Sequence, residues 1–513
     1  MTKKSNQKKL LIKNSAALYM RMMLTIVIGL YTSRVVLEAL GVDDYGIYNI
    51  VGGVVGLTSF LNASMSSASS RFITYELGKG DFSNLLKTFE TSITIHLGIA
   101  VLVFIICETI GIWFINYKLV LPPGSLSAAN LVFQMSILST CVSIIQVPYS
   151  ASIMAHEKMN VYAYIEILNS ILKLGIALIL LNSADNKLEL YSLLLAISSI
   201  VIFLIYYMYG RIHFRECRFK PIIERTFLKP MLSYSGWDML GNLSVTAKQQ
   251  GGAIVLNLFY GVIANAASGI ANVVNGTILG LSQIVMTAFR PQIIKNYSMG
   301  EIDEFLKLTH LSFKIALIFY ACVSIPVFIC MDNLLFIWLG NPPEYSNQFC
   351  RILLISGFFN IVSVVFITGI HATGKIKIMN IIGLACNFLT IIGGYIGYIL
   401  GARIYWLYIC FCIFNSIISL GCMIILKSQV KALSMSRIIA DILKVLICYS
   451  IIYLGSYMGH ILVKGPYPEL ITVCCISTLL TIFCLFFLLL NHEQRKRVSE
   501  IIKSKFQLRQ GNG

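Results

Sequence analysis

The chain has 513 residues, 57% of them hydrophobic and only 12% charged, whereas soluble domains carry about 25% charged residues. That composition excludes a soluble globule. The net charge of +17 would suit a nucleic-acid partner, but the distribution of the charge along the chain argues against one.

Apolar runs of about 20 residues, each able to cross a hydrocarbon core of about 30 Å, recur along the length. They fall near 15–37, 45–70, 91–115, 127–154, 161–181, 189–209, 231–258, 262–288, 308–330, 348–370, 378–400, 404–426, 438–460 and 469–490. The pattern predicts an all-α polytopic membrane protein with about fourteen transmembrane helices. With the N-terminus placed in the cytoplasm, the loops on that side hold most of the 40 Lys and Arg, and the opposite loops hold only Lys118, Lys187, Arg403 and Lys464. The positive-inside rule expects this asymmetry and places the C-terminus in the cytoplasm as well. The basic excess is therefore read as topology, with no nucleic-acid partner.

In chain order, the N-terminal lysines and the apolar run after them resemble a signal peptide. Arg21 interrupts that run and no A-x-A site follows, so an uncleaved first span is expected. Arg21 and Arg34 sit about 220° apart on a straight helix unless Gly29 bends it. Each either lines a hydrated cavity or snorkels to the headgroups. Span 2 sets Ser59, Asn62, Ser66 and Ser69 on one side. Span 3 carries His96 and Glu108, both expected at the interface. In span 5 Glu166, Ser170 and Lys173 share a face, as a structural pair or as a proton or cation site.

Span 7 is the most polar, with Ser235, Asp238, Asn242, Thr246 and Gln249 on one face and Lys248 and Gln250 on its flanks. Lys248 lies near mid-membrane, where snorkelling is hardest, and is the leading candidate for an anion contact. Span 8 continues with Asn265, Ser268, Asn272, Asn275 and Ser282 in one stripe, which suits a wet lumen or close helix packing. Lys314 lies near the cytoplasmic end of span 9. Asp441 and Lys444 of span 13 are spaced as a local pair. Spans 10–14 are otherwise nearly all apolar.

A repeat underlies the series. Gly41-Val42 returns as Gly261-Val262, Arg71 as Arg290, and Gly80-Asp81 as Gly300-Glu301, all at nearly one separation. Ala155-His156-Glu157-Lys158-Met159 is echoed at almost the same separation by Ala372-Thr373-Gly374-Lys375-Ile376. Duplicated units of this length are a normal way to build a transporter. The expected organisation is an N-lobe over 1–210, a basic cytoplasmic linker over 211–230, a C-lobe over 231–430, spans 13–14 over 431–490 and a cytoplasmic tail over 491–513.

The fourteen cysteines show no C-x-x-C pair or metal spacing and read as packing residues, so no metal and no cofactor is assigned. No Walker A, H-E-x-x-H or nucleophile elbow occurs. The outer loops are short, leaving no room for an external catalytic region. No catalytic residue is assigned.

These residues resemble the polysaccharide flippase branch of the multidrug/oligosaccharidyl-lipid/polysaccharide exporter superfamily, the Wzx-type O-antigen translocases. The resemblance rests on Ser33-Arg34-Val35-Val36-Leu37, Leu40-Gly41-Val42, Tyr45-Gly46-Ile47-Tyr48, Arg71-Phe72 and Glu76-Leu77-Gly78-Lys79-Gly80-Asp81. Val147-Pro148-Tyr149, Arg290-Pro291-Gln292-Ile293, Trp338-Leu339-Gly340 and the 155–159 and 372–375 turns add to it. It covers roughly residues 10–430.

The resemblance implies two pseudo-symmetric six-helix lobes around a central cavity, plus two C-terminal helices that shelter a lipid tail. It implies alternating access for an undecaprenyl-diphosphate-linked oligosaccharide in the bacterial cytoplasmic (inner) membrane. Coupling to H+ or Na+ or to the membrane potential, and glycan-assembly enzymes as partners, follow from the same likeness. The expected anion and glycan contacts are Arg34, Arg71, Lys173, Lys248, Arg290, Asn272 and Asn275, with Asp238 and Glu166 as coupling or gating carboxylates. The competing readings are a cation-coupled multidrug antiporter of the same superfamily and a membrane-embedded glycan polymerase or acyltransferase.

Overall fold

The computed structural model describes residues 2–156, 158–183, 186–217, 225–463, 465–490 and 495. The side chains over 1–23, and those of Asn62, Arg71, Ser235 and Asp238 among others, lie outside that description. Among the described residues every regular element is helical, as the apolar runs require. The first half of the chain forms α1 (Thr2–Gly56), α2 (Ser59–Lys79), α3 (Phe82–Ile106), α4 (Ile112–Tyr117), α5 (Leu126–Ala155), α6 (Met159–Leu181), α7 (Lys187–His213) and α8 (Arg225–Thr246). The second half forms α9 (Gly252–Ser298), α10 (Ile302–Ile329), α11 (Met331–Leu339), α12 (Ser346–Thr373), α13 (Lys377–Ile399), α14 (Trp406–Gln429), α15 (Met435–Leu462) and α16 (Pro466–Cys484).

Among the described residues twelve stretches are long and apolar enough to cross a membrane. Two of them, Leu24–Gly56 and Met239–Gln283, each run across a sharp bend between two expected spans, the first taking in only the start of span 2, whose remainder lies in α2. This accounts for twelve where fourteen were expected. The bends fall at Gly41 (φ 76°, ψ 177°) and Gly261 (φ 70°, ψ −163°). That backbone region is open essentially only to glycine. The bends occupy equivalent positions of the repeat, so the duplication read from sequence is also a duplication of backbone geometry. Gly80 and Gly300, the next repeated pair, both close their helices at φ 76°.

The second echo is structural too. Residues 155–159 and 372–376 are the turns between α5 and α6 and between α12 and α13. In the first, His156 Nε2 lies 2.6 Å from Glu216 Oε1, just after α7. In the second, Thr373 donates to Gln429 at the end of α14. The same tie between a turn and the end of the next hairpin is made with different chemistry.

The chain divides into two compact units. The first holds residues 1–270, 342–346 and 383–410. Within it α1 packs on α6, α5 on α7 and α3, and α2 on α8. Its core is aromatic: Tyr149, next to the in-helix Pro148, meets Phe89 edge-on at 5.4 Å and Tyr207 at 5.4 Å. The second unit holds 271–341, 347–382 and 411–513, with α10, α15 and α16 packed together. The buried Lys314 of α10 donates to the Leu489 carbonyl at 3.1 Å, and Arg495 donates to Leu490 O at 2.9 Å. Both cations satisfy carbonyls at the C-terminal end of the last span, where the helix dipole favours positive charge. Large apolar side chains such as Leu400, Leu479 and Val27 are exposed, as a surface solvated by lipid tails requires.

Candidate functional site

The polar residues of span 7 hold the first unit together. Asn242 donates to Ser64 of α2 at 3.1 Å, and Asn387 of α13 donates to Ser244 at 3.1 Å. Asn257 clasps the α4–α5 loop, accepting from Val120 N at 3.0 Å and donating to Val120 O at 3.2 Å. Between these ties the helix widens into a π turn, Ala247–Gly251. Such one-residue insertions locally re-aim side chains and are frequent at functional sites.

Here the π turn turns Lys248 inward. The side chain is only 9% exposed, with the Cys386 thiol of α13 as an electrostatic neighbour. Gln250 lies over two glycines of α1, since a Cβ on Gly53 would come within 2.9 Å of its Oε1 and one on Gly56 within 3.0 Å of its Nε2. The backbone of α1 approaches still closer at Gly46, where a Cβ would stand 2.3 Å from the Val262 carbonyl. Small residues thus bring the two bent helices together in the first unit. A buried ammonium in such a setting is costly, and side chains of this kind mark ligand and ion pathways in membrane proteins.

The other expected residues are placed as follows. Arg34 is half-buried, and Lys173 is exposed. Glu166 is half-buried and accepts from the buried Tyr206 hydroxyl at 3.0 Å, while Ser170 turns back to the Glu166 carbonyl. In the second unit Arg290 and Asn272 are exposed, and Asn275 is half-buried with a buried Oδ1 that accepts no hydrogen bond among the described residues. The side chains of Arg71 and Asp238 fall outside the described residues. His96, expected at the interface, is fully buried with Nδ1 2.7 Å from Ser92 O. Asp441, expected beside Lys444, meets His310 of α10 at 2.7 Å.

The second unit contains an apolar groove of about 300 Å³ between α10, α12 and α15. Tyr320, Phe328, Ile355, Phe358, Tyr449 and Tyr453 are among its walls. Two of the phenols that could have made it polar are engaged elsewhere: Tyr320 donates to Leu354 O at 2.6 Å and Tyr449 to Leu317 O at 2.9 Å. The groove therefore offers aromatic and aliphatic surface over a length of span 13. Sequence reasoning missed it, because its walls are ordinary apolar residues on three helices. It also missed three His–carboxylate contacts among the described residues, His156–Glu216, His310–Asp441 and His460–Glu469.

No family model matches the sequence, and no curated protein matches it. Solved structures do. A structure of the lipid II flippase MurJ in an inward closed conformation superposes with a TM-score of 0.67 at 15% identity, covering 92% of this chain and 98% of its own. A multidrug resistance MATE family transporter of the MOP superfamily, inward-facing, gives 0.65 at 14%, covering 82% and 100%. The fold is that of MOP-superfamily transporters. A further MOP-superfamily transporter, from Pyrococcus furiosus and described as having a binding pocket of reversed polarity, gives 0.58 at 13%, covering 82% and 96%. Coverage separates these MOP folds. The part of the chain before α15, which starts at Met435, cannot by itself supply 92% of the whole, so the MurJ match extends into the last two spans.

Proposed function

We propose that this chain is a flippase that carries an undecaprenyl-diphosphate-linked oligosaccharide from the cytoplasmic to the outer leaflet of the bacterial cytoplasmic membrane by alternating access. The observation that carries this reading is the apolar groove against α15, within the pair of spans that the MurJ likeness includes. A polyprenyl tail needs a dry track of this kind, and the twelve-span antiporter reading leaves the track and its helix without a task. Lys248 is the proposed diphosphate contact, an ammonium held off lipid by its π turn. Arg34, Arg71, Lys173 and Arg290 are proposed to guide the headgroup, and Asn272 and Asn275 to hydrogen-bond the glycan. Glu166 and Asp238 are the proposed coupling carboxylates for H+ or Na+. Both termini are proposed to lie in the cytoplasm, and glycan-assembly enzymes are the proposed partners.

Photocrosslinking tests the groove. A benzophenone residue at Ile355 should capture a polyprenyl-diphosphate glycan from cells, and one at the lipid-exposed Leu420 should capture bulk phospholipid. Phospholipid alone at both positions would refute the assignment.

A further inference from the structure

Three elements of the second unit converge at one end of α15. Cys330 joins α10 to α11, His460 lies in the last turn of α15, and Glu469 lies in the first turn of α16. The Cys330 sulfur, a ring nitrogen of His460 and a carboxylate oxygen of Glu469 all lie within 4.8 Å of one another. His460 Nδ1 is 2.6 Å from Glu469 Oε1, and Asn333 donates to Glu469 Oε2 at 2.8 Å. Cys330 and Glu469 are buried, and the His460 side chain is 37% exposed.

We propose that Cys330, His460 and Glu469 bind one divalent transition-metal ion of the zinc class, clamping the α10–α11 junction to α15 and α16. The donor set decides the class. A thiolate and an imidazole favour zinc-like ions over magnesium or calcium, which take oxygen ligands. The Cys330 thiol also faces the Glu469 carboxylate, so the three groups are held together by protons that one metal ion would replace. Asn333 fixes one carboxylate oxygen, the outer-shell role that ligating carboxylates need, and Oε1 exchanges its hydrogen bond with His460 Nδ1 for the metal. The exposed edge of His460 gives the ion a way in. On binding, the Cys330 S–H bond breaks, a sulfur–metal bond forms and the proton passes to water, while the proton between His460 and Glu469 moves to the ring nitrogen that does not bind the metal. Three protein ligands leave a fourth position for water.

The test uses the full chain in nanodiscs, stripped with a chelator and titrated with Co²⁺ as a coloured stand-in for Zn²⁺. One equivalent should produce a thiolate-to-cobalt charge-transfer band that Zn²⁺ removes. Cys330→Ser should abolish the band, and Cys475→Ser, an exposed cysteine elsewhere on α16, should leave it unchanged. Asn333→Ala should weaken Co²⁺ binding by about 10- to 100-fold. Should Cys330→Ser fail to fold, Glu469→Gln keeps a hydrogen-bonding side chain for Asn333 and His460 and should lose the rise in melting temperature that Zn²⁺ gives the parent chain. No band at one equivalent, a band that survives Cys330→Ser, or a Zn²⁺-dependent rise that survives Glu469→Gln would each overturn the site.

Discussion

Replacing Gly261 with Ala isolates the cost of the bend that divides α9. Nothing lies within 4 Å of a Cβ built at Gly261 or at its counterpart Gly41, so the penalty is conformational and not steric. At φ 70°, ψ −163° a residue with a Cβ costs about 1–3 kcal/mol, a fall of roughly 5- to 150-fold in the folded-to-unfolded ratio. Gly41→Ala should cost the same, but the two should not simply add: Gly46 touches Val262, so the bends are near enough to couple. Gly276 and Gly29 are the controls. They are helical with equally open surroundings, and Ala there should be neutral or stabilising by up to about 1 kcal/mol. The assay is the half-life of the monodisperse protein in detergent at fixed temperature, which ranks variants even where unfolding is irreversible. A Gly261→Ala protein that lasts as long as Gly276→Ala would refute the reasoning.

Other outcomes follow from particular contacts. Lys248→Met keeps the volume of the side chain and removes its charge, and should lower transport by about 10- to 100-fold, the worth of one hydrogen bond to a charged group, with thermal stability retained. Ser324→Phe places a ring in the groove and should reduce both crosslinking at Ile355 and transport of long-tailed substrate, leaving short-tailed analogues less affected. His156→Ala leaves the 3%-exposed Glu216 without its partner and should cost about 1–3 kcal/mol in the same half-life assay, with Glu216→Gln costing less.

The spans were legible because length and apolarity are local properties of the chain. The repeat was legible because Gly41 and Gly261 stand at one separation, but that both glycines bend their helices shows only in the backbone. The interior was harder to read, for reasons the residues make plain. His96 was expected near the start of a span at 91, but α3 begins at Phe82, which puts the ring mid-helix and in the core. Lys314 lies well inside α10, which begins at Ile302, and is buried for the same reason. Hydropathy finds the apolar centre of a span and misses the amphipathic turns before it. The π turn that contains the buried Lys248 is a local widening of the helix and has no signature in composition. Cys330, His460 and Glu469 are joined only by the fold, with the whole of α11 to α14 between the first two, so no spacing rule could group them.

The central claim is movement of a lipid-linked glycan, and it is tested most directly in liposomes that contain only this protein and a polyprenyl-diphosphate oligosaccharide loaded in the inner leaflet. An impermeant glycosidase outside should gain access to the glycan at a rate that depends on the protein and falls with Lys248→Met. Glycan that stays protected, while the same liposomes exchange a cationic dye for protons, would contradict the flippase account and favour the antiporter.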